Sequence, residues 1–332
     1  MAWQIVGNER SVAFLKGQIE SGKLRHAYLI AGPAGSGRRT LALAFIKALN
    51  CQNPPQQGEF CGHCPACRQI DAQSFADLTV LQPAEGTRDL RIDQIREMQK
   101  SLVLAPYLAQ YRTVLIPDFQ QATSAASNAL LKSLEEPPAR AVIILTANAR
   151  ESLLETIASR CETVRMSPLP VQAAQEALQQ QFGIAAEEAR LLAHMSAGRI
   201  GLAVQMAHDP DLLGRYQQAL EQLRELLPAS KRSRLSFVEG LLKKKASNRE
   251  QFSWLITVWL PFWRDVLICA SNAELPLIYT SYEADVRRAA GLVSLPEIRR
   301  IIHLHEDALD QIDRYVNPRL VMENLLLNLP RI

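Results

Sequence analysis

Four of the six cysteines fall within seventeen residues, in the pattern Cys51-x9-Cys61-x2-Cys64-x2-Cys67. Four thiolates complete the tetrahedral shell of a zinc ion at about 2.3 Å per bond, and a two-residue gap lets a tight turn aim two sulfurs at one metal. Pro54, Pro55, Gly58, Gly62 and Pro65 supply the turning. The alternative is a set of buried thiols, which the polarity of this loop disfavours. His63 lies between the ligands, but Cys51, Cys61, Cys64 and Cys67 already saturate the ion. With no open coordination position, such a zinc is structural rather than catalytic, and its removal loosens the loop.

A second cluster is built for phosphate. The segment Gly32-Pro-Ala-Gly-Ser-Gly37-Arg38-Arg39-Thr40 follows an apolar strand and opens a helix, the setting in which backbone N–H groups cradle phosphates. The phosphate-loop pattern is G-x-x-x-x-G-K-[ST]. Gly32 and Gly37 fit it, but Arg38 stands where lysine belongs and Arg39 where the magnesium-binding hydroxyl belongs. Arg38 keeps the charge but brings a planar fork in place of a compact ammonium. Thr40 lies about 100° further round the helix, the wrong direction to replace the hydroxyl. A second apolar strand, Thr113–Pro117, ends in Asp118, where an acid would position magnesium. Phe119 follows in place of the glutamate that would orient water. Lysine, hydroxyl and general base are therefore all missing, which argues against hydrolysis and leaves nucleotide binding open.

Short strands and helices must position these groups. Apolar runs at 26–31, 78–81, 113–116, 141–146 and 162–166 alternate with helical sequence, such as 11–20 and 40–49, which predicts a parallel sheet covered on both faces. An apparent helix spans 151–158. Ser167-Pro-Leu-Pro170 reads as a linker, and no strand is expected after Val171. We expect three domains: residues 1–167, with the cysteine insert at 51–67, a small helical unit at 168–206, and a helical remainder at 207–332.

Composition sets limits on function. The 332 residues are 48% hydrophobic and 21% charged, enough to bury a core, with a net charge of +3 that is too mild for a dedicated DNA-binding surface. The basic runs Lys231–Arg234 and Lys243–Lys245 read as solvated helix faces. No secretory signal is read at the N-terminus. The most apolar stretch, 251–263, is broken by Pro261 and falls short of the ~18 residues of a membrane span. A cytoplasmic protein with no membrane contact is expected, and in that reducing setting close cysteines point to metal.

At Asn128-Ala-Leu-Leu-Lys-Ser-Leu-Glu-Glu-Pro-Pro138 and Ser159-Arg160-Cys161, the chain resembles the bacterial clamp-loader ATPases of the AAA+ class. Ile5–Asn8, Leu24–Leu29 and a four-cysteine insert after the first loop helix strengthen the likeness, which is strong over residues 1 to about 205. The resemblance implies an AAA+ P-loop-type α/β domain with a parallel sheet, then a small helical lid domain and an all-α collar domain. Arg38, Arg39 and Phe119 set the chain apart from the hydrolysing gamma/tau subunit and make it similar to the relatively rigid stator of the loader.

For such a subunit the family implies a hetero-pentamer with gamma/tau and delta subunits, within the DNA polymerase III holoenzyme. That assembly opens a sliding clamp and places it on primer–template DNA, using ATP bound by neighbouring subunits. Arg160 would then enter a neighbour's nucleotide site as an arginine finger in trans, the alternative being a helix C-terminal cap. Thr146 and Asn148 match the first sensor, Arg199 the second, and Glu135 and Glu136 carry the family signature at a helix end. The degenerate nucleotide site would comprise Gly32, Gly37, Arg38, Thr40, Asp118, Thr146 and Arg199. Two other readings stay open: a divergent active ATPase using Arg38, and a zinc-bearing DNA-binding module.

Overall fold

The computed structural model describes residues 3, 5–84, 87, 89–242, 248–314 and 316–332, so the Lys243–Lys245 run lies outside the described residues. Two compact units are present: Met1–Leu169 with Arg199–Leu202, and Pro170–Gly198 with Ala203–Ile332. The first is an α/β unit and the second is helical.

The α/β unit is built on five strands, β1 (Ala27–Ala31), β2 (Leu78–Val80), β3 (Arg112–Ile116), β4 (Ala141–Ala147) and β5 (Glu162–Arg165). All pair in parallel in the order β2-β3-β4-β1-β5. Both faces of β1 and β4 are buried, as expected for the centre of a parallel sheet. Alternation splits their side chains between two cores. Tyr28, Ile30, Val142 and Ile144 pack with α2 (Arg38–Asn50), while Leu29, Ile143 and Leu145 pack with α4 (Ile92–Leu102) and α5 (Ser124–Glu135). This is a parallel α/β sheet covered by helices on both faces, as the alternation of apolar runs predicts. The register Ile30↔Thr146 and Leu115↔Ile144 brings the carboxyl ends of β1, β3 and β4 to one rim, where open α/β sheets carry their sites.

The strands fall where the apolar runs predict, but three local features differ from the sequence reading. The run 151–158 is not one helix: a 3-10 turn at Arg150–Ser152 is separated from α6 (Glu155–Ala158) by extended Leu153. A short helix, α3 (Pro65–Asp71), lies inside the cysteine cluster, with the Cys64 sulfur as its N-cap acceptor and Pro65 at its start. Pro261 does not break the apolar stretch.

In the helical unit, α12 runs unbroken from Asn248 to Ala270. Its segment Arg249–Ala270 is long and apolar enough to cross a membrane by length and composition. Phe252, Ile256, Trp259, Trp263 and Val266 are nevertheless fully buried, against α13 (Glu283–Leu292), α14 (Leu295–Asp313) and neighbouring helices. Burial of the turns flanking Pro261 offsets the roughly 3 kcal/mol that a mid-helix proline costs. Asp265 on the same helix is buried and accepts the N–H groups of Ile278 and Tyr279, both at 2.8 Å.

The basic run Lys231–Arg234 is not a uniformly solvated face. Lys231 and Arg232 are exposed, but Arg234 is 2% exposed and donates to the carbonyls of Leu226, Leu227, Leu326, Leu329 and Pro330 at 2.7–3.0 Å. One guanidinium thus caps the carboxyl ends of α10 (Pro210–Leu226) and α15 (Pro318–Leu327), whose last carbonyls have no intrahelical donor. Composition gives no sign of this, since the run reads as charge rather than as a cap. Arg234→Ala should destabilise the helical unit by about 3 kcal/mol or more, because several carbonyls are orphaned together. Three of the four tryptophans, Trp254, Trp259 and Trp263, lie in α12, so urea unfolding followed by tryptophan fluorescence of a Trp3→Phe background reads this unit; a midpoint unchanged by Arg234→Ala would refute the cap.

Candidate functional site

The glycine loop leaves β1 at Gly32, whose N–H donates to the Ala147 carbonyl at 3.1 Å. A Cβ at Gly32 would lie 2.3 Å from the Met166 carbonyl oxygen, so only glycine fits. Gly35 and Gly37 take φ of +81° and +92°, and Gly37 caps α2. Arg38 is the first residue of that helix and turns inward. It is 7% exposed, with Nη2 2.7 Å from Asp118 Oδ1 and Nη1 donating to Asn148 Oδ1 at 3.1 Å. Burial lowers the basicity of the guanidinium, and the Asp118 charge works against that.

Asp118 is itself held in an unusual backbone state. Its φ is +48°, uncommon for a residue with a side chain, and its N–H donates to Thr146 Oγ1 at 2.9 Å. Thr146 is therefore buried as a support for Asp118, whereas Asn148 meets the cation. The structure thus unites Arg38, Asp118, Thr146 and Asn148 at the strand ends. Arg39 and Thr40 are exposed on α2, and Arg39 Nη2 reaches Gln73 Oε1 at 2.8 Å. Phe119 is buried and presents nothing polar.

The loop is also covered by its own chain. Helix α9 (Ile200–His208) begins against it: Leu202 N–H donates to the Gly35 carbonyl at 3.2 Å, and a Cβ at Gly201 would lie 2.8 Å from that oxygen. Arg199, half-buried, immediately precedes this turn. The Ser36 hydroxyl in the loop is buried and has no protein partner.

Arg160 lies apart from this rim, beyond α6. Its Nη1 donates to the Thr156 carbonyl at 2.7 Å, and Nη2 lies 2.8 Å from Glu135 Oε1. The side chain stays 37% exposed, so the helix-end contact and an accessible guanidinium coexist.

The four cysteines converge. All four sulfurs lie within 4.8 Å of one another, with Cys51 Sγ 3.6 Å from Cys61 Sγ and 4.0 Å from Cys64 Sγ. Such spacings suit the edges of a tetrahedron with bonds of about 2.3 Å. Backbone N–H groups of Cys61, Cys64 and Cys67 donate to the sulfurs of Cys51, Cys61 and Cys64 at 3.3–3.5 Å. Burial opposes ionisation of Cys61, but N–H donors from His63 and Cys64 and the neighbouring sulfurs bring its thiol down to about 6. His63 Nδ1 is turned to the Cys61 carbonyl at 2.9 Å, away from the sulfurs. Contrary to the sequence expectation, the loop does hide its thiols: Cys61, Cys64 and Cys67 are buried with Trp3, Phe60 and Ile70 in the sheet's core. The indole N–H of Trp3 donates to the Gly58 carbonyl at 3.0 Å and draws the polar loop down.

Residues 7–170 match the family described as "DNA polymerase III, delta subunit". DNA polymerase III subunit delta' of Pseudomonas aeruginosa is 36% identical over 207 residues, 61% of this chain and 61% of that protein. DNA polymerase III subunit delta' of Bacillus subtilis is 28% identical over 324 residues, 96% of this chain and 95% of that one. The chain belongs to the delta-prime clamp-loader family. The match spans less than two thirds of the Pseudomonas relative but nearly all of the Bacillus one. Among solved structures, a DNA polymerase III gamma subunit-related protein of Thermotoga maritima aligns over 97% of this chain and 99% of that one, at 21% identity and a TM-score of 0.44.

For this delta-prime family member, the sequence reading omitted the residues that close the loop. Met166, Gly201 and Leu202 lie far from the motif along the chain, and only Gly201, a glycine at a helix start, left a trace. Gly201→Ala tests that closure. Alanine favours a helix by about 1 kcal/mol, yet the clash with Gly35 should reverse the sign and destabilise the α/β unit by about 1–3 kcal/mol. Hydrogen exchange of β1 and α2 peptides reads the effect, and slower exchange in the variant would contradict it.

Proposed function

We propose that this chain is a non-hydrolysing stator of the DNA polymerase III clamp loader, which supplies Arg160 in trans to a neighbouring ATPase subunit. The observation that carries this reading is the contrast between its two arginines. Arg38 is turned in on Asp118, while Arg160 keeps an accessible guanidinium at the end of α6. The delta-prime family supports clamp-loader partners; on the proposed reading the chain stands beside gamma/tau and delta subunits in a hetero-pentamer acting on a sliding clamp and primer–template DNA.

The site residues do not fit a magnesium nucleotide. The cation that would face phosphate already neutralises the acid that would position magnesium, and Arg39 and Phe119 supply neither hydroxyl nor base. ATP would then be bound by neighbours, and Arg160 would stabilise charge as phosphoryl transfer proceeds there. Glu135 and the Thr156 carbonyl hold that guanidinium in the free chain.

Cys51, Cys61, Cys64 and Cys67 would hold one zinc ion, and their sulfur spacing supports this. The ion would supply structure alone, fixing the loop between α2 and α3. We further propose a cytoplasmic protein with a lid at 168–206 and a collar at 207–332 that forms the oligomer contacts.

Three results are expected. The purified chain shows no steady ATP turnover, and turnover abolished by Asp118→Ala would establish the divergent-ATPase reading instead. In a reconstituted loader, Arg160→Ala lowers ATP-driven clamp loading by about tenfold or more while assembly by gel filtration is unchanged; normal loading removes the finger. Elemental analysis finds one zinc per chain, and Cys64→Ser loses it with faster exchange confined to the loop; metal-free wild type would refute the centre.

A further inference from the structure

We infer that Arg38 is an internal counter-charge that locks the degenerate nucleotide site, so that the strand ends are tied together with neither cation nor nucleotide. This goes further than the absence of hydrolysis: a site can lose its catalytic groups and still stand empty, whereas this one is filled from within.

The geometry has three parts. The guanidinium is 7% exposed and spends two nitrogens on two different strand ends, Asp118 beyond β3 and Asn148 beyond β4, at 2.7 and 3.1 Å. Its own backbone starts α2, so one side chain joins the glycine-loop helix to two strands. The acid is held for this contact. Asp118 sits at φ +48° with its N–H on Thr146, and a strained residue at a site persists only where its surroundings fix it. The loop beneath cannot retreat either, because Gly32 abuts Met166 and Gly35 abuts the first turn of α9.

Arginine suits this role where lysine does not. A planar fork serves two acceptors in fixed directions, and its weaker hydration makes burial tolerable. Removing Asp118 leaves the buried guanidinium charged and short of an acceptor, while removing Arg38 unties Asp118, whose carboxylate is 40% exposed, from α2; both break the same link, so the pair should behave as one unit. Arg39, directed outward to Gln73, takes no part.

The test is a double-mutant cycle in the full chain with Arg38→Met, Asp118→Asn and both together, read by hydrogen exchange of peptides from α2, β3 and β4. Each single substitution should speed exchange there by about tenfold, and the double variant should be no faster than the faster single. Effects that multiply would overturn the lock, as would unaltered exchange in Asp118→Asn. If Arg38→Met does not fold, Arg38→Lys takes its place in the same cycle with the same criteria. Magnesium-ATP added to the wild-type chain should leave this exchange unchanged; protection of the loop by magnesium-ATP would also overturn the lock. ATP turnover and clamp loading test the stator reading separately, so its failure is distinguishable from that of the lock.

Discussion

A guanidinium taken out of water must find fixed acceptors, and much of the α/β unit's rim is arranged around that demand. Arg38 is satisfied because the parallel register, with Ile116 opposite Leu145, brings Asp118 beyond β3 and Asn148 beyond β4 within reach of one guanidinium. The register in turn rests on two apolar cores, one on each face, that fix which side chain of β1 and β4 points where. A one-residue slip of β4 would exchange those cores and move Asn148 off the rim. Motif, sheet and core are one constraint seen at three scales.

The same need for satisfied acceptors explains Arg234. There the acceptors are carbonyls at two helix ends, and the cation closes the helical unit. Two arginines from clusters that look alike in composition therefore do different work from the one that stays accessible at Arg160. With Arg234 buried, the Lys231–Arg234 run presents less charge to a phosphate backbone, which weakens the reading of the chain as a DNA-binding module.

Much of the fold was legible because its signals are local. The five strands are apolar runs bounded by polar sequence, and the glycine loop announces the turn between β1 and α2. The family motifs at 128–138 and 159–161 made the class readable before any contact was known. What escaped is non-local. Pro261 reads as a break until the burial of Trp259 and Trp263 is seen to outweigh it. The cysteine loop reads as exposed because its sequence is polar, but Trp3 and Phe60 bury the sulfurs from outside the loop's own composition. At the candidate site, the missing lysine, hydroxyl and base were plain from residue identity. The direction in which Arg38 points depends on a partner eighty residues away and was not.

Burial of the cysteines also governs their exchange with the surroundings. Of the four, Cys51 alone is partly open, while the other three are buried in one cluster with Phe60 and Ile70. A chelator, an oxidant or a competing metal would meet Cys51 first and would reach the other three sulfurs only when the loop opens. The lifetime of the proposed centre would then depend on a local opening equilibrium of the protein. The proposed ion would on this account be retained by kinetics as well as by affinity.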